Sequence, residues 1–381
     1  MMPPVPWSAP WESLVFCLLL VVAPVVAAEW RRAQWTLALL VVAIVGALFS
    51  PDGTWAYAAV ALAGLGHAVN AWPTSRTGAA ALVLSAVLAL ATGVALQANQ
   101  LTAAFVLSTL AVAIRAGVWP LTVGIAGLCE RAPVVQTQQL ASMIALVFVH
   151  LRFVDHHPEA VALAPTVVRL GALAAFLAAL LSLVQRDLRG FYRATTAMHG
   201  GLILAAVGAA SHDNFAAALL VTVAGGLALG GLGITITSLE ERVGPVRFSQ
   251  PGGRSQAFPR LSAAFALFGA AGVAVPGSAG FVADDLLLHT LWMESPASTV
   301  AVILSSAMLA VSTLRCYSHV FLGKATAALA PDLTARERVV TVALLLLLLV
   351  LGLAPGWLLG PADAFLSVVP AASALGGAAL P

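Results

Sequence analysis

RAGVWPLTVGIAGLCERAP, residues 115–133, interrupts an apolar run with an arginine and a proline. Pro120 lacks a backbone N–H donor and frees a carbonyl, so a helix is expected to open at this point. In a membrane, such open backbone is tolerated only beside a cavity or inside packed protein. Arg115 is then either a buried functional cation or a side chain that extends to the membrane interface about one turn away. The sequence alone leaves both interpretations open.

The second half of the chain repeats this combination of a break and an ionisable group. The stretch VPGSAGFVADDLLL, residues 275–288, contains Pro276-Gly277 and, just beyond it, Asp284 and Asp285. A carboxylate at membrane depth is costly and marks a functional site by default. Adjacent carboxylates cannot share one helix face, so one is expected to face the interior and the other the rim. Paired broken helices are typical of the working centre of an ion transporter.

Composition places the chain in a membrane. Its 381 residues are 61% hydrophobic and 9% charged, with a mean hydropathy of +0.98, whereas soluble domains are about half apolar. The apolar runs are continuous rather than alternating, which favours α-helices over barrel strands. We therefore predict an all-α polytopic membrane protein with about 12 transmembrane helices. The candidate spans are 11–28, 33–49, 54–71, 78–97, 101–119, 133–151, 161–184, 195–210, 215–238, 259–275, 298–320 and 337–358, with a shorter apolar piece at 279–293.

The sequence indicates neither a cofactor, nor a metal ion, nor nucleic acid as a ligand. Cys17, Cys129 and Cys316 are scattered through or beside apolar segments, which gives no metal spacing and no disulfide framework. The loop 155–159 concentrates acidic residues and histidines, and we interpret it as an exposed loop rather than a metal site. The formal net charge of +2 carries no indication of nucleic-acid binding.

Basic residues are distributed unequally between the two sets of loops. Threading the chain back and forth places on one side Arg31, Arg32, Arg76, Arg131, Arg186, Arg189, Arg193, Arg242, Arg247, Arg254 and Arg260. The loops of the other side hold Arg152. By the positive-inside rule the first side is cytoplasmic and the N-terminus lies outside. Lys324 and Arg336 join the cytoplasmic side if 276–293 does not cross the membrane fully, which predicts a discontinuous helix there.

Other polar residues lie inside predicted spans. His199 is close to Thr195, and histidine can relay a proton because it titrates near physiological pH. A neutral histidine that only packs between helices is the alternative. Gln136 and Thr137 give their span a polar face suited to hydrogen-bonded water. Gly226 and Gly230 form a GxxxG pair, and Gly225, Gly231 and Gly233 extend its smooth face, which predicts close helix packing rather than a nucleotide loop.

At these residues the chain resembles the antiporter-like membrane subunits of bacterial respiratory complex I, and most of all the M-type subunit. The superfamily also includes membrane subunits of energy-converting hydrogenases, multisubunit cation/proton antiporters and inorganic-carbon uptake complexes. The resemblance runs from about residue 76 to residue 366 and rests on VWPLTVGIAGLCERAP (118–133), QRDLRGFYRATTAMHGG (185–201), LEERVG (239–244), VPGSAGFVADDLLL (275–288) and RERVVTVALLLLLLVLGLAPGWLL (336–359).

The resemblance implies one membrane domain over 1–381, with an antiporter-like core at 76–366 and shortened N-terminal helices at 1–75. In the family, inverted repeats each contain a broken helix. The resemblance matches a lysine of the first broken helix to Arg115 and a core histidine to His199. It matches the acidic residue of the second broken helix to Asp284. These three form the implied proton path, with Gln136, Thr137, Thr195 and Asp285 as supporting polar residues.

Three family positions on that path have lost their ionisable side chains, since a glutamate falls near Ala56, a central lysine at Leu146 and a second histidine at Gly225. Arginine does not deprotonate in proteins, so Arg115 is expected to act as a fixed countercharge. His199 and Asp284 remain titratable.

The leading hypothesis is a membrane subunit of a complex-I-like or antiporter-like assembly. It would take part in proton translocation coupled to NADH–quinone oxidoreduction or a related partner reaction. The chain has no flavin, iron–sulfur or quinone motif, so as a translocase subunit it would leave redox chemistry to its partners. The expected partners are other membrane subunits, lipid and protons, in a bacterial inner (plasma) membrane. The alternatives are a non-conducting scaffold that docks subunits of a hydrogenase or inorganic-carbon uptake complex, and an independent secondary transporter.

Overall fold

The computed structural model describes residues 53–73, 75–122, 128, 133–210, 215–250, 252–324 and 331–355, with the side chains of 133–141 excepted. The predicted spans 11–28 and 33–49 lie outside these residues. Within the described ranges the regular structure is helical and no strand is present.

The α-helices are numbered here in chain order. They are α1 Gly53–Ala71, α2 Arg76–Gln97, α3 Leu101–Ala116, α4 Pro133–His156, α5 Ala164–Leu183, α6 Leu188–Gly208, α7 Phe215–Val243, α8 Pro259–Gly272, α9 Ala279–Glu294, α10 Pro296–Phe321 and α11 Ala335–Leu353. A 3-10 turn, Pro158–Ala160, follows α4. Local sequence sets several of these starts: the Asp187 carboxylate accepts from the Gly190 N–H, and Thr334 with Glu337 forms a capping box.

The outer surface of the bundle suits a lipid environment. Four of the described helices, α2, α5, α7 and α10, are long and apolar enough to cross a membrane, and α3 is a shorter apolar helix. Leu346 and Leu353 of α11 are exposed, while Leu344 and Leu348 of the same helix pack inward. The prediction of an all-helical membrane protein is therefore confirmed, and the number of about 12 spans stays a prediction.

Glycines allow two central helices to approach closely. Gly201 of α6 lies against the backbone of Ala175 in α5, and Gly171 of α5 lies against that of Ala205. A Cβ atom at either glycine would collide with backbone, which cannot move aside as a side chain can. This contact fixes α6 in the middle of the molecule.

The close approach of α7 to α8 is made at Gly231, one of the glycines that extend the GxxxG pair. The space beside Gly230 is open, whereas Gly231 lies directly against the ring of Phe268 in α8. Adjacent residues of an α-helix point about 100° apart. The packing face of α7 is therefore turned by one residue from the GxxxG pair.

The first helix break begins before the proline that suggested it. Helix α3 ends at Ala116, and Gly117 takes a left-handed conformation with φ of 68°. Its N–H still bonds to carbonyls of the last turn, so glycine rather than proline ends the helix. Pro120 follows in a turn, and residues 123–127 and 129–132 lie outside the described part of the chain.

The second break includes Pro276-Gly277. Helix α8 ends at Gly272 and α9 begins at Ala279. Between them Ala274 and Gly277 have φ of 58° and 93°, which no helix accommodates. The sequence predicted a discontinuous helix over 276–293 with its break at Pro276-Gly277; here the chain leaves the helix before Pro276 and forms one continuous helix again from Ala279 to Glu294.

Candidate functional site at the two helix breaks

Arg115 is enclosed in the protein at the end of α3. Its side chain is 1% exposed. Its Nε donates to the Ser85 Oγ of α2 over 3.2 Å, and its Nη1 donates to the Ser142 carbonyl of α4 over 3.4 Å. On α1, Gly64 lies so close to the guanidinium that a Cβ there would overlap it. The side chain therefore lies in the interior and does not extend to a lipid-facing surface.

The hydrogen bonds around Arg115 are directional. Ser85 Oγ donates its own proton to the Ala111 carbonyl over 2.8 Å, so its oxygen is free to accept from Arg115. Both of these acceptors, a hydroxyl and a backbone carbonyl, are neutral. A guanidinium held in this way keeps its charge and its position, since arginine does not lose its proton.

Helix α6 touches both breaks. The glycine at 200 faces the end of α3, where a Cβ would collide with the Ala116 carbonyl oxygen. The adjacent His199 is buried, with Nδ1 placed 3.0 Å from the Thr195 carbonyl. The Gly272 backbone, at the end of α8, is its other hydrogen-bonding neighbour. Two consecutive residues of α6 thus link the first break to the second.

Thr195 supports His199 through its backbone. Its hydroxyl donates to the Phe191 carbonyl one turn earlier over 2.9 Å, as hydroxyls commonly do inside helices. Its carbonyl is the group that meets the histidine ring. The sequence suggested Thr195 as a supporting residue, and its backbone carbonyl, not its hydroxyl, contacts His199.

The two carboxylates after the second break face different surroundings. Asp284 is half-buried, and its Oδ2 accepts from the Ser306 Oγ of α10 over 3.2 Å. Asp285 is exposed on the outer face of α9. Sequence inspection did not identify Ser306, whose signal was a serine pair within an apolar helix. Gln136 and Thr137 lie in α4, and their side chains are outside the described structure.

Two of the three positions where the resemblance places further ionisable groups are packed with apolar atoms here, and the third is a glycine beside His199. Ala56 and Leu146 are fully buried in the main hydrophobic core. Gly225 leaves the space that the His199 ring occupies, because a Cβ at 225 would lie 3.0 Å from His199 Cδ2. Gly225 and the His199 ring therefore lie in close contact.

Charged residues cluster at the end of the bundle where α6 begins and α7 ends, which we call the basic end. Arg189 pairs with Glu240, and Arg242 pairs with Glu337 over 2.7 Å. A cleft there is lined by Asp187, Arg189, Arg193, Thr237, Glu240, Glu241 and Pro245. Because α6 continues from this cleft to His199, polar surface lies at one end of the helix that links the two breaks. Among the described residues, no group of three His, Cys, Asp or Glu side chains is arranged to hold a metal ion.

The family model described as "NADH:quinone oxidoreductase/Mrp antiporter, TM" matches residues 75–310. NADH-quinone oxidoreductase subunit M of Escherichia coli (strain K12) is 27% identical over 196 residues, covering 50% of this chain and 38% of the relative. NAD(P)H-quinone oxidoreductase chain 4 of Gloeobacter violaceus is 32% identical over 132 residues, covering 34% of this chain and 25% of the relative. The matched region is thus less than half the length of either relative.

Solved structures share the fold over most of the chain. A chain of respiratory complex I from Thermus thermophilus with bound NADH aligns with a TM-score of 0.81 and 20% identity, covering 93% of this chain and 83% of that chain. A chain of the Mrp complex from Dietzia sp. aligns with a TM-score of 0.74 and 18% identity, covering 92% and 82%. At such identities the likeness shows a common helical architecture.

Proposed function

The chain belongs to the NADH:quinone oxidoreductase/Mrp antiporter family of membrane subunits, and on that premise we propose that it takes part in proton translocation within a multisubunit membrane complex. The related proteins are named as NADH-quinone oxidoreductase subunits, so the coupled reaction we propose is NADH–quinone oxidoreduction carried out by partner subunits. The working part is a single membrane domain whose core spans residues 76–366.

The observation that carries the proposal is the position of α6 between the breaks. His199 meets the Gly272 backbone at one break, and the neighbouring glycine meets the Ala116 carbonyl at the other. Unwound backbone offers carbonyls that a water chain can use, and an imidazole beside it can accept and release a proton. A shift of α6 would therefore act on both breaks together.

The three predicted proton-path residues have different roles in this proposal. Arg115 supplies a fixed positive charge next to the first break. His199 and Asp284 are the groups that exchange protons, and the Ser306 hydroxyl orients the carboxylate. A proton crossing the membrane would need water to connect His199 to the apolar first half, where Leu146 is packed.

A non-conducting scaffold is the second candidate, and two observations favour it. Ala56 and Leu146, where the resemblance places ionisable groups, are packed in the apolar core. The outer face of α9 also presents Phe281, Asp285, His289 and Trp292, all exposed. Charged groups on a lipid-facing helix are costly, so a neighbouring membrane subunit is a fitting cover for this face.

Proton flux distinguishes the two functions. The purified assembly containing this chain is reconstituted in liposomes, and flux is followed with a pH-sensitive dye while its partner reaction runs. We expect Asp284→Asn to abolish flux with assembly intact, because the amide keeps the shape but cannot exchange a proton. Glu294→Gln, which changes an exposed carboxylate at the end of the same helix, is the matched control and should keep full flux. Wild-type flux equal to that of empty liposomes would decide for the scaffold.

We also propose that the chain lies in a bacterial inner membrane with its basic end in the cytoplasm and its N-terminus outside. The arginines near the start of α6 and the end of α7 support this orientation by the positive-inside rule. Single cysteines at Gln256 and Glu159, both exposed and in loops at opposite ends, test it in a background without native cysteines. An impermeant reagent added to intact cells should label the cysteine at 159 and spare the one at 256. The reverse pattern would invert the orientation.

A further inference from the structure

A second polar site lies inside the first half of the bundle, away from both breaks. His150 of α4 is fully buried, and its Nδ1 lies 2.9 Å from the Ser108 Oγ of α3. Ser108 donates its only proton to the Phe105 carbonyl over 3.0 Å. The hydrogen between Nδ1 and Oγ therefore belongs to the histidine. In a neutral imidazole this leaves the lone pair on Nε2 as a proton acceptor.

Two polar atoms of this cluster can each make a further hydrogen bond. His150 Nε2 and the Tyr57 hydroxyl are both buried and make no hydrogen bond with any of the described residues. Tyr57, on α1, approaches the same Ser108. Buried polar atoms in native proteins are almost always satisfied by protein or by ordered water. The Nε2 atom is an acceptor and the Tyr57 hydroxyl is a donor, so a water molecule is a suitable partner for each of them.

The cluster is separate from the Arg115 site. Ser142, Leu146 and His150 follow one another at intervals of four residues on α4, and so share one face of the helix. The carbonyl of Ser142 meets Arg115, His150 meets Ser108, and the fully buried Leu146 lies between them. Two polar layers are thus separated by one apolar layer.

We propose that His150, Ser108 and Tyr57 form a water- and proton-binding site. A water-borne proton adds to Nε2: the N–H bond forms as an O–H bond of hydronium breaks, which leaves a water molecule and an imidazolium. The Nδ1–H continues to donate to Ser108, and the Tyr57 hydroxyl holds the water. His150 lies six residues before the end of α4, which is about 9 Å along the helix.

The surroundings of the cluster contain few other ionisable groups. Among the described elements packed against this end of α4, Tyr57 comes from α1 and Glu159 from the 3-10 turn. The facing turns of α3, α6 and α7 contribute none. Beyond the cluster, α4 itself carries Arg152, Asp155 and His156, and His157 follows the end of the helix. The competing explanation is a dry, permanently neutral histidine that packs between the rings of Phe105 and Phe153, whose centroids lie 5.7 and 6.3 Å away.

Contact with water separates these explanations. The wild-type assembly in liposomes, with histidine ring nitrogens isotopically labelled, is studied by solid-state NMR that detects proton exchange between water and the imidazole. The His150 signal is identified by its loss in His150→Gln, or by its shift in Ser108→Ala should the first variant fail to assemble. His157, in the exposed loop, is the positive control.

We expect the His150 Nε2 to exchange with water. Tyr57→Phe should reduce that exchange about fivefold, as expected for the loss of one hydrogen bond worth about 1 kcal/mol. An Nε2 with no water contact in the assembled wild type would overturn the proposal, and so would an unchanged exchange rate in Tyr57→Phe. Because no turnover is needed, the result is independent of whether the complex conducts protons.

Discussion

The two helix breaks hold their ionisable groups in different ways. At the first break Arg115 is fully enclosed and bonded to a hydroxyl and a carbonyl. At the second, His199 lies against the Gly272 backbone, and Asp284 reaches a hydroxyl on a neighbouring helix while keeping part of its surface exposed. The first break is built around a charge that stays, and the second around groups whose charge can change.

This difference indicates that the halves have separate roles. A permanent guanidinium can favour negative charge or oriented water nearby, but it cannot pass a proton on. Under the proposed function, the exchange of protons between helices is carried out by the groups of α6, α9 and α10. The first half contains another titratable side chain, His150. The apolar layer around Leu146 separates it from Arg115.

Removing the fixed charge should have the largest effect. Arg115→Ala would leave a cavity and remove a donor from Ser85 and Ser142, so we expect it to destabilise the fold by about 3 kcal/mol or more. The measurement is the thermal unfolding of the purified assembly, together with the amount of chain recovered in it. Arg115→Lys is the control, because its ammonium can reach at least one of the same acceptors. Equal stability of Arg115→Ala and the wild type would show that the charge has no structural role.

Replacing the fixed charge at the first break with a side chain that can titrate should have an intermediate effect on the protein. A lysine at 115 can release its proton when buried, unlike arginine. We therefore expect Arg115→Lys to retain or raise proton flux in liposomes if the chain conducts. Flux lost in Arg115→Lys, with normal assembly, would mean that the permanence of the charge is what matters at this break.

Displacing the second break's histidine should have the smallest effect. Gly225→Ala places a Cβ 3.0 Å from His199 Cδ2, so the ring must shift by a few tenths of an ångström. We expect flux to fall about threefold, equivalent to about 0.6 kcal/mol in the barrier, with assembly unchanged. Gly230→Ala in the same helix is the control, since the space beside it is open. Equal losses in both variants would point to helix propensity rather than to the position of His199.

Particular residues show how far sequence reasoning reached. The sequence predicted the membrane class and both helix breaks, because glycines and prolines are conspicuous in apolar runs. It also identified Arg115, His199 and Asp284 as candidate functional residues, because polar and charged side chains are rare there. The end of α3 at Gly117 rather than Pro120 was not predicted, since either residue can stop a helix. Gly231 was identified as part of a packing face, but its contact with Phe268 was not, because that contact depends on how α7 is rotated about its axis.

His150 is the clearest example of what local patterns do not reveal. It lies in an apolar run with no motif around it, and its partner Ser108 is 42 residues earlier. His150 is a candidate site because its Nε2 is buried and has no hydrogen-bond partner among the described residues. That burial results from the packing of α1, α3 and α4.

By itself the sequence determined that this chain is a helical membrane protein. Lipid offers no hydrogen bonds, so long apolar segments have to satisfy their own backbone as helices. Only the tertiary structure decided which polar groups meet: that α6 touches both breaks, that Arg115 turns inward and that Asp284 reaches Ser306. Such contacts depend on helix rotation and depth, which are set by side-chain packing across the bundle rather than by neighbours along the chain.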